Sequence, residues 1–200
     1  MQTFSVNTVS PPVWKRGFDL FLSMAGLVIF AVPMALIWCI LRMDRSAPPI
    51  YRQERLGFGG KPFIMLKFRT MRPDAEITGV QITAVHDSRI TLFGHFLRRF
   101  HLDELPQLIN VLKGDMSLIG PRPERAFFYE QISKELPEFP RRLEVPQGLT
   151  GWAQIHGGYD LTAKEKLRYD LEYIQIQSPL VDLYCICRTI DVLISGKGAR

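Results

Sequence analysis

The longest apolar stretch runs from Leu20 to Leu41, 22 residues without a formal charge. As a helix it is about 33 Å long, against a hydrocarbon core of about 30 Å. It exceeds the apolar core of a signal peptide, and no small-residue cleavage site follows it, so it is expected to remain as a membrane segment. Pro33 lies inside the run and removes a backbone hydrogen bond, which predicts a kink there. Lys15 and Arg16 precede the run, and Arg42, Arg45, Arg52 and Arg55 follow it. Basic flanks stay cytoplasmic. Basic residues on both flanks favour a helix that enters, breaks at Pro33 and returns to the same face. A single span with a cytoplasmic C-terminal domain fits the length equally well, and both readings stand on the pattern alone.

Beyond the run the pattern becomes that of a folded domain. Residues 1–14 read as a loose polar leader, 15–43 as the membrane segment and 44–200 as a cytosolic domain. Pro48-Pro49, Gly57, Gly59-Gly60 and Pro62 predict loop over 44–62, with a short extended piece at Ile50-Tyr51-Arg52. Phe63 to Met71 is the best strand, and its period of two puts Lys67 and Arg69 on one face. Residues 72–88 are polar without helical period and read as a mobile surface loop. Leu102, Leu105, Leu108, Ile109 and Leu112 recur at helical spacing up to Gly114. Pro106 fits only near the first turn of that helix, which places Asp103 and Glu104 at its N-terminal end. Two more helices are predicted, Thr162 to Gln177 and Pro179 to Ser195. The second mixes apolar and charged positions, suiting either the core or a membrane surface. The class is mainly α with a small β component (α+β).

Composition narrows this only slightly. Apolar residues make up 46% and charged residues 22%, the balance of an ordered chain. At 200 residues, one compact domain plus an anchor is the natural organisation. The net charge of +5 suits phosphorylated substrates, anionic lipid or nucleic acid. The aromatics are not interleaved with the basic residues as a stacking platform requires, so nucleic acid is not the expected partner. Cys39, Cys185 and Cys187 read as reduced packing residues, and His86, His95, His101 and His156 lack metal-ligand spacing. No Walker A loop, Rossmann fingerprint or zinc-protease motif is present.

Candidate chemistry centres on Asp103-Glu104. Adjacent helical residues point about 100° apart and can address one site without overlapping. An ionised Asp can attack phosphorus while a neighbouring Glu holds Mg²⁺. Taken alone, the pair is more often a capping feature of a first turn. Its context is a set of cations: Lys67 and Arg69 on a strand face, Arg98-Arg99 just upstream, and Arg122 held stiffly between Pro121 and Pro123. Such groups neutralise a diphosphate and its leaving group. Gly148 to Gln154 reads as a tight loop, either beside a site or purely structural.

Five ordered strings carry a resemblance: Lys67-Phe68-Arg69-Thr70-Met71, Leu102 through Leu108, Asn110 through Ser117, Gly120-Pro121-Arg122-Pro123 and Thr150-Gly151-Trp152-Ala153-Gln154. Together they resemble the bacterial sugar transferase family, the monotopic phosphoglycosyl transferases, from about Lys15 onward. The resemblance implies a re-entrant helix-break-helix on the bacterial inner membrane, with a catalytic domain and amphipathic helices at its cytoplasmic face. It implies transfer of a sugar-1-phosphate from a UDP-sugar to undecaprenyl phosphate, with release of UMP. It further implies Mg²⁺ and a covalent intermediate on Asp103, with Glu104 as the metal-linked carboxylate. Lys67, Arg98 and Arg122 match basic positions that bind phosphate and nucleotide, and Pro121 and Pro123 frame their loop. Arg69 and Gln154 join the substrate-binding set, and Asp170 matches an acidic position behind the site. A homo-oligomer is compatible with it. Two departures stand out: Val32 replaces the Ser common before the membrane proline, and Val145-Pro146-Gln147-Gly148 lacks the Arg-Pro-Gly of many members. The chain is expected to correspond to the minimal catalytic unit or to an isolated C-terminal domain of the larger members.

Overall fold

The computed structural model describes residue 4, residues 6–75 and residues 87–195, the side chains of 159 and 192–195 excepted. The apolar run folds as two helices, α1 (Val13–Ile29) and α2 (Ala31–Met43), bent by 61° at Phe30. The break lies three residues before Pro33 rather than at it. Proline has no N–H to reach the Ile29 carbonyl, and its ring crowds that carbonyl. The helix therefore parts one turn upstream, and Pro33 becomes the third residue of α2, where the missing N–H has no helical partner to lose. Among the described residues no single helix is long and apolar enough to cross a bilayer, and α1 and α2 pass that test only as the bent pair.

α1 is inside-out. Its buried residues are Lys15, Asp19 and Ser23, spaced four apart on one face, while Phe21, Met24, Val28 and Ile29 are exposed. The Lys15 ammonium lies 2.6 Å from Asp182 Oδ2, and the Tyr173 hydroxyl donates to Asp182 Oδ1 at 2.7 Å. Asp19 Oδ1 accepts from Ser117 Oγ at 3.1 Å and from the Leu118 N–H at 2.9 Å. Arg16 donates to the Val111 and Leu112 carbonyls at 2.6 and 2.7 Å. Lys15 and Arg16, read from the sequence as basic flanks of the apolar run, are spent on the domain.

After α2 the chain forms a hairpin. β1 (Ile50–Leu56) pairs antiparallel with β2 (Pro62–Phe68), with Tyr51 opposite Lys67 and Arg55 opposite Phe63. The expected extended piece at 50–52 is present, and the loop expected around it is corrected for 53–56: Gln53, Glu54 and Arg55 offered no apolar face, yet the strand is held by its ladder. The free edge of β2 is sutured by Asn110, whose side chain accepts from the Leu66 N–H at 3.0 Å and donates to the Ile64 carbonyl at 2.7 Å. The expected mobile loop at 72–88 lies largely outside the described residues; at its base Met71 bridges Ile90.

The rest is mostly helical: α3 (Leu92–Arg99), α4 (Gln107–Lys113), α5 (Ala126–Glu135), α6 (Trp152–His156), α7 (Ala163–Ile176) and α8 (Pro179–Ser195). Two three-residue strands, β3 (Ser117–Ile119) and β4 (Gly148–Thr150), pair in parallel. α4 ends on Gly114 at φ 89°, and α7 starts on a capping box between Thr162 and Glu165. The helix expected from Leu102 is shorter: Leu102–Glu104 is a separate 3₁₀ turn, and Pro106 precedes α4. α6 replaces the second half of the tight loop expected at 148–154.

Three apolar clusters hold these pieces. One gathers Met65, Leu108, Val111, Ile119, Tyr173 and Cys185 beneath α1. A second gathers Leu56, Tyr129, Phe139, Leu143 and Leu167, and Phe4 and Val6 pack against it. With the Val9 N–H donating to the Glu144 carbonyl at 2.8 Å, the described leader residues form a strap rather than a loose tail. The third cluster, Ile37, Leu41, Phe68 and Leu97, joins α2 to β2 and α3. Only Cys185 packs as expected of the cysteines, burial pushing its thiol up to about 12; Cys39 and Cys187 are exposed.

Candidate active site

Three segments converge on Asp103-Glu104. His101 precedes the pair at φ 53°, the one non-glycine in the left-handed region among the described residues. That conformation costs about 1–2 kcal/mol and turns the chain abruptly out of α3. The following 3₁₀ turn presents both carboxylates to one cavity, while Leu102 and Leu105 pack beneath.

From β2, the Lys67 ammonium reaches Glu104 Oε1 at 2.7 Å and lies 4.0 Å from Asp103 Oδ2. From the loop after β3, Arg122 donates to Glu104 Oε2 at 3.2 Å and to Oε1 through its other terminal nitrogen. From α3, the Arg98 Nε–H donates to Thr70 Oγ1 at 2.9 Å, and its charge acts on Asp103. Thr70 is thus a contributor that sequence reasoning missed.

The two carboxylates are electrostatically unlike. Burial would raise Glu104, but Arg122 and Lys67 outweigh it and hold the carboxyl well below the usual range. Burial raises Asp103 above the ordinary aspartate value, with Glu104 adding to the rise, against Lys67, Arg98 and Arg122. The expected place of the pair at the N-terminal end of the helix is corrected, since α4 begins only at Gln107 and the carboxylates lie in the preceding turn against these cations.

The other expected residues divide. Gln154 lines the cavity, and both its amide atoms are buried without a hydrogen-bond partner among the described residues. Pro121 and Pro123 are buried on either side of Arg122. Arg69 borders the cavity, but its guanidinium is spent on the end of α2, donating to the Ala47 carbonyl at 2.6 Å and pairing with Asp44 Oδ2 at 2.8 Å. Lys67 and Arg69 therefore serve different elements despite their shared spacing. Asp170 is buried behind the wall, 2.6 Å from Arg142 Nε.

The cavity has a volume of about 2100 Å³ and is lined by Lys67, Arg98, Asp103, Glu104, Arg122 and Gln154 on its charged side. It also reaches Gly26 and Phe30 at the bend between α1 and α2, and Leu105 and Leu108 below them. A charged centre with a positive surplus thus opens onto an apolar arm.

A family model described as bacterial sugar transferase matches residues 10–196. The chain belongs to the bacterial sugar transferase family. Relatives in that family include UDP-N-acetylgalactosamine-undecaprenyl-phosphate N-acetylgalactosaminephosphotransferase of Aeromonas hydrophila, 37% identical over 189 residues, covering 93% of this chain and 45% of that protein. The UDP-glucose:undecaprenyl-phosphate glucose-1-phosphate transferase of Caulobacter vibrioides is 36% identical over 190 residues, covering 92% and 71%. The exopolysaccharide production protein PSS of Rhizobium leguminosarum bv. phaseoli is 37% identical over 199 residues, covering 93% and 98%. The chain thus spans less than half of the Aeromonas relative and nearly all of the Rhizobium one. The first two names carry different donor sugars at almost equal identity, so membership of the sugar transferase family does not select the sugar.

Proposed function

We propose that this chain is a phosphoglycosyl transferase that moves a sugar-1-phosphate from a UDP-sugar to undecaprenyl phosphate and releases UMP. The observation that carries the reading is Asp103 beside a Glu104 held by Lys67 and Arg122, at a cavity that also reaches the bend of the apolar helix pair.

An Asp103 carboxylate oxygen attacks the sugar-bearing phosphorus, and the bond from that phosphorus to the bridging oxygen breaks, leaving with UMP. The enzyme then holds the phosphosugar as an acyl phosphate. A phosphate oxygen of the polyprenyl acceptor attacks the same phosphorus and returns the electron pair to Asp103. Lys67, Arg98 and Arg122 neutralise the diphosphate and the departing UMP, in surroundings where such charges act strongly. The cations that hold Glu104 also lie close enough to exchange onto incoming phosphate oxygens. One or two carboxylates plus substrate phosphates are the usual holding set for Mg²⁺. Asp103 and Glu104 fit that set once Lys67 or Arg122 shifts from Glu104 to substrate, and the ion would supply further neutralisation of the leaving phosphate.

The same reading seats α1 and α2 in one leaflet of the bacterial inner membrane, with the domain on the cytoplasmic face. Both ends of the pair are bonded to one domain: Lys15 and Arg16 at the start of α1, and Arg69 at the end of α2. The apolar faces of α1, α2, α3 and α8 are exposed, Val28 by 71% and Leu92 by 90%. Lone cysteines at Thr8 and Ser46, on opposite sides of the pair, should both react only from the cytoplasmic side; labelling from opposite sides would establish a span.

The decisive test is UMP release across a panel of UDP-sugars with Mg²⁺ and polyprenyl phosphate in detergent. Asp103→Asn should abolish both turnover and a covalent phosphosugar adduct detectable by mass. Full turnover by that variant removes Asp103 as nucleophile.

A further inference from the structure

Arg122 stands in a segment that cannot anchor itself. Pro121 and Pro123 have no N–H, so the loop offers its surroundings mainly carbonyl oxygens. Each of the three carbonyls is taken by a donor from a different element. Pro121 O accepts from the Gly148 N–H at 2.9 Å, Arg122 O from Arg142 Nη2 at 3.1 Å, and Pro123 O from Arg55 Nη1 at 3.0 Å. The two guanidinium donors are themselves fixed. Arg142 is 1% exposed, is paired with Asp170 Oδ2 at 2.6 Å and lies with its guanidinium carbon 4.7 Å from the Phe139 ring centroid. Arg55 is held by Gln53 at 2.9 Å and Glu124 at 3.2 Å.

A fully buried ion pair adds little net stability over an apolar packing of the same volume. A cheaper residue than arginine would therefore fill position 142 if filling were its only task. What arginine alone supplies is a planar fork that can bond Asp170 and a carbonyl at once. Arg55 adds a second link: it lies on β1, whose partner strand β2 carries Lys67. The two cations that meet on Glu104 are thus tied together from behind.

We propose that Arg142, braced by Asp170, and Arg55 are positioning residues that clamp the 121–123 carbonyls and so aim the Arg122 guanidinium at Glu104 and at the donor diphosphate. This rests on the proposed transferase reading. A displacement of about 1 Å at such a group can cost up to about 100-fold in rate.

The test uses the full chain in detergent. Arg142→Lys keeps a charge for Asp170 but not the fork, and should lower kcat/KM for UMP release about 10- to 100-fold with the thermal midpoint little changed. Arg55→Lys should give a smaller loss, about 3- to 10-fold. Arg141→Ala, at an exposed neighbour that pairs with Glu138 and Glu144, should change nothing. On an Arg122→Lys background the Arg142→Lys and Arg55→Lys effects should shrink below about 2-fold, because the group they aim has gone. Full additivity on that background overturns the proposal. If Arg142→Lys does not fold, Arg55→Lys, on a partly exposed side chain, carries the same cycle. The side-chain Nε–H resonance of Arg122 gives a readout independent of turnover: it should move in both single variants, and an unmoved resonance overturns the clamp. A wild-type chain that releases no UMP from any donor removes the transferase reading, and the resonance then decides the clamp alone.

Discussion

The molecule buries two ionic networks, one at the foot of α1 and one at the site, and they are built for different ends. At the foot of α1, Lys15, Asp182, Tyr173, Asp19 and Ser117 form a closed set in which each named charge has a partner of the protein's own. At the site, Lys67, Arg98 and Arg122 face Asp103 and Glu104, three cations against two carboxylates, on the wall of a cavity. Burial alone does not separate them, since Lys15 is 1% exposed and Asp103 only 7%. What separates them is closure and the sign of the uneven charge: the foot sets one cation against two carboxylates, each of them bonded within the protein. The foot is complete without a ligand, whereas the site keeps a positive surplus that, on the proposed reading, the donor diphosphate would complete. Burying a charge is tolerable only with a partner; in the foot that partner is permanent, and in the site, on the proposed reading, part of it would arrive with substrate.

The sharpest way to break this comparison is to remove one charge from the closed network. Lys15→Met leaves Asp182 buried without its cation, which should cost about 3–5 kcal/mol of stability. Adding Asp182→Leu should recover much of that loss. Thermal or denaturant unfolding measures both, and UMP release per folded molecule should remain near wild type. A large loss of turnover in the folded double variant would make the foot part of the catalytic machinery and dissolve the contrast.

The complementary variant, Glu104→Gln, removes the carboxylate that gathers Lys67 and Arg122. Turnover should fall on the order of 100-fold, about 2.7 kcal/mol on the barrier, while stability moves far less than in Lys15→Met. If stability fell as much as at the foot, Glu104 would be a structural anchor first.

The two carboxylates also predict opposite pH behaviour. Glu104 is depressed in the folded chain, so its contribution to stability is present above its ordinary value of 4.5 and is lost as pH falls below it. Asp103 is raised, so its contribution is present below 3.8 and is lost as pH rises through the elevated folded value. Glu104→Gln should therefore flatten the acid-side loss of stability, and Asp103→Asn should remove the loss on the alkaline side of 3.8. The donor half-reaction should gain rate with pH through the ionisation of Asp103, at a midpoint above the ordinary aspartate value. An acid limb unchanged in Glu104→Gln would contradict the cation-held state.

Much of the site was legible because its residues sit in short strings: Lys67, the 102–108 segment and the 120–123 loop each carry their own signal. Helix α8 was legible in both bounds, and α7 almost so, because Thr162 caps one and Ser178-Pro179 separates them. The clamp was not legible. Arg55 and Pro123 are 68 residues apart, Arg142 and Asp170 are 28 apart, and Arg142 reads like its exposed neighbour Arg141. α1 was misjudged at its start for a related reason. Lys15 and Asp19 look like charges outside a membrane run, and only the partners at 182 and 117–118 show that the polar face points inward. α3 went unseen because it spans eight residues and exposes Leu92 and Phe96 rather than burying them.

The smallest effect concerns how the chain enters the site. His101 holds a left-handed backbone in which an L side chain is strained by about 1–2 kcal/mol, while glycine adopts it freely but gives up about 0.5–1 kcal/mol of chain entropy on folding. His101→Gly should therefore change stability by less than about 1 kcal/mol, with the sign towards stabilisation. His101→Val, β-branched and less tolerant of that region, should lose stability and displace the 3₁₀ turn that carries Asp103. If the turn were held mainly by Lys67 and Arg122 gripping Glu104, the valine variant would keep its turnover. If the backbone sets the position, turnover in His101→Val should fall further than its stability alone explains, and His101→Gly should retain it within a few fold.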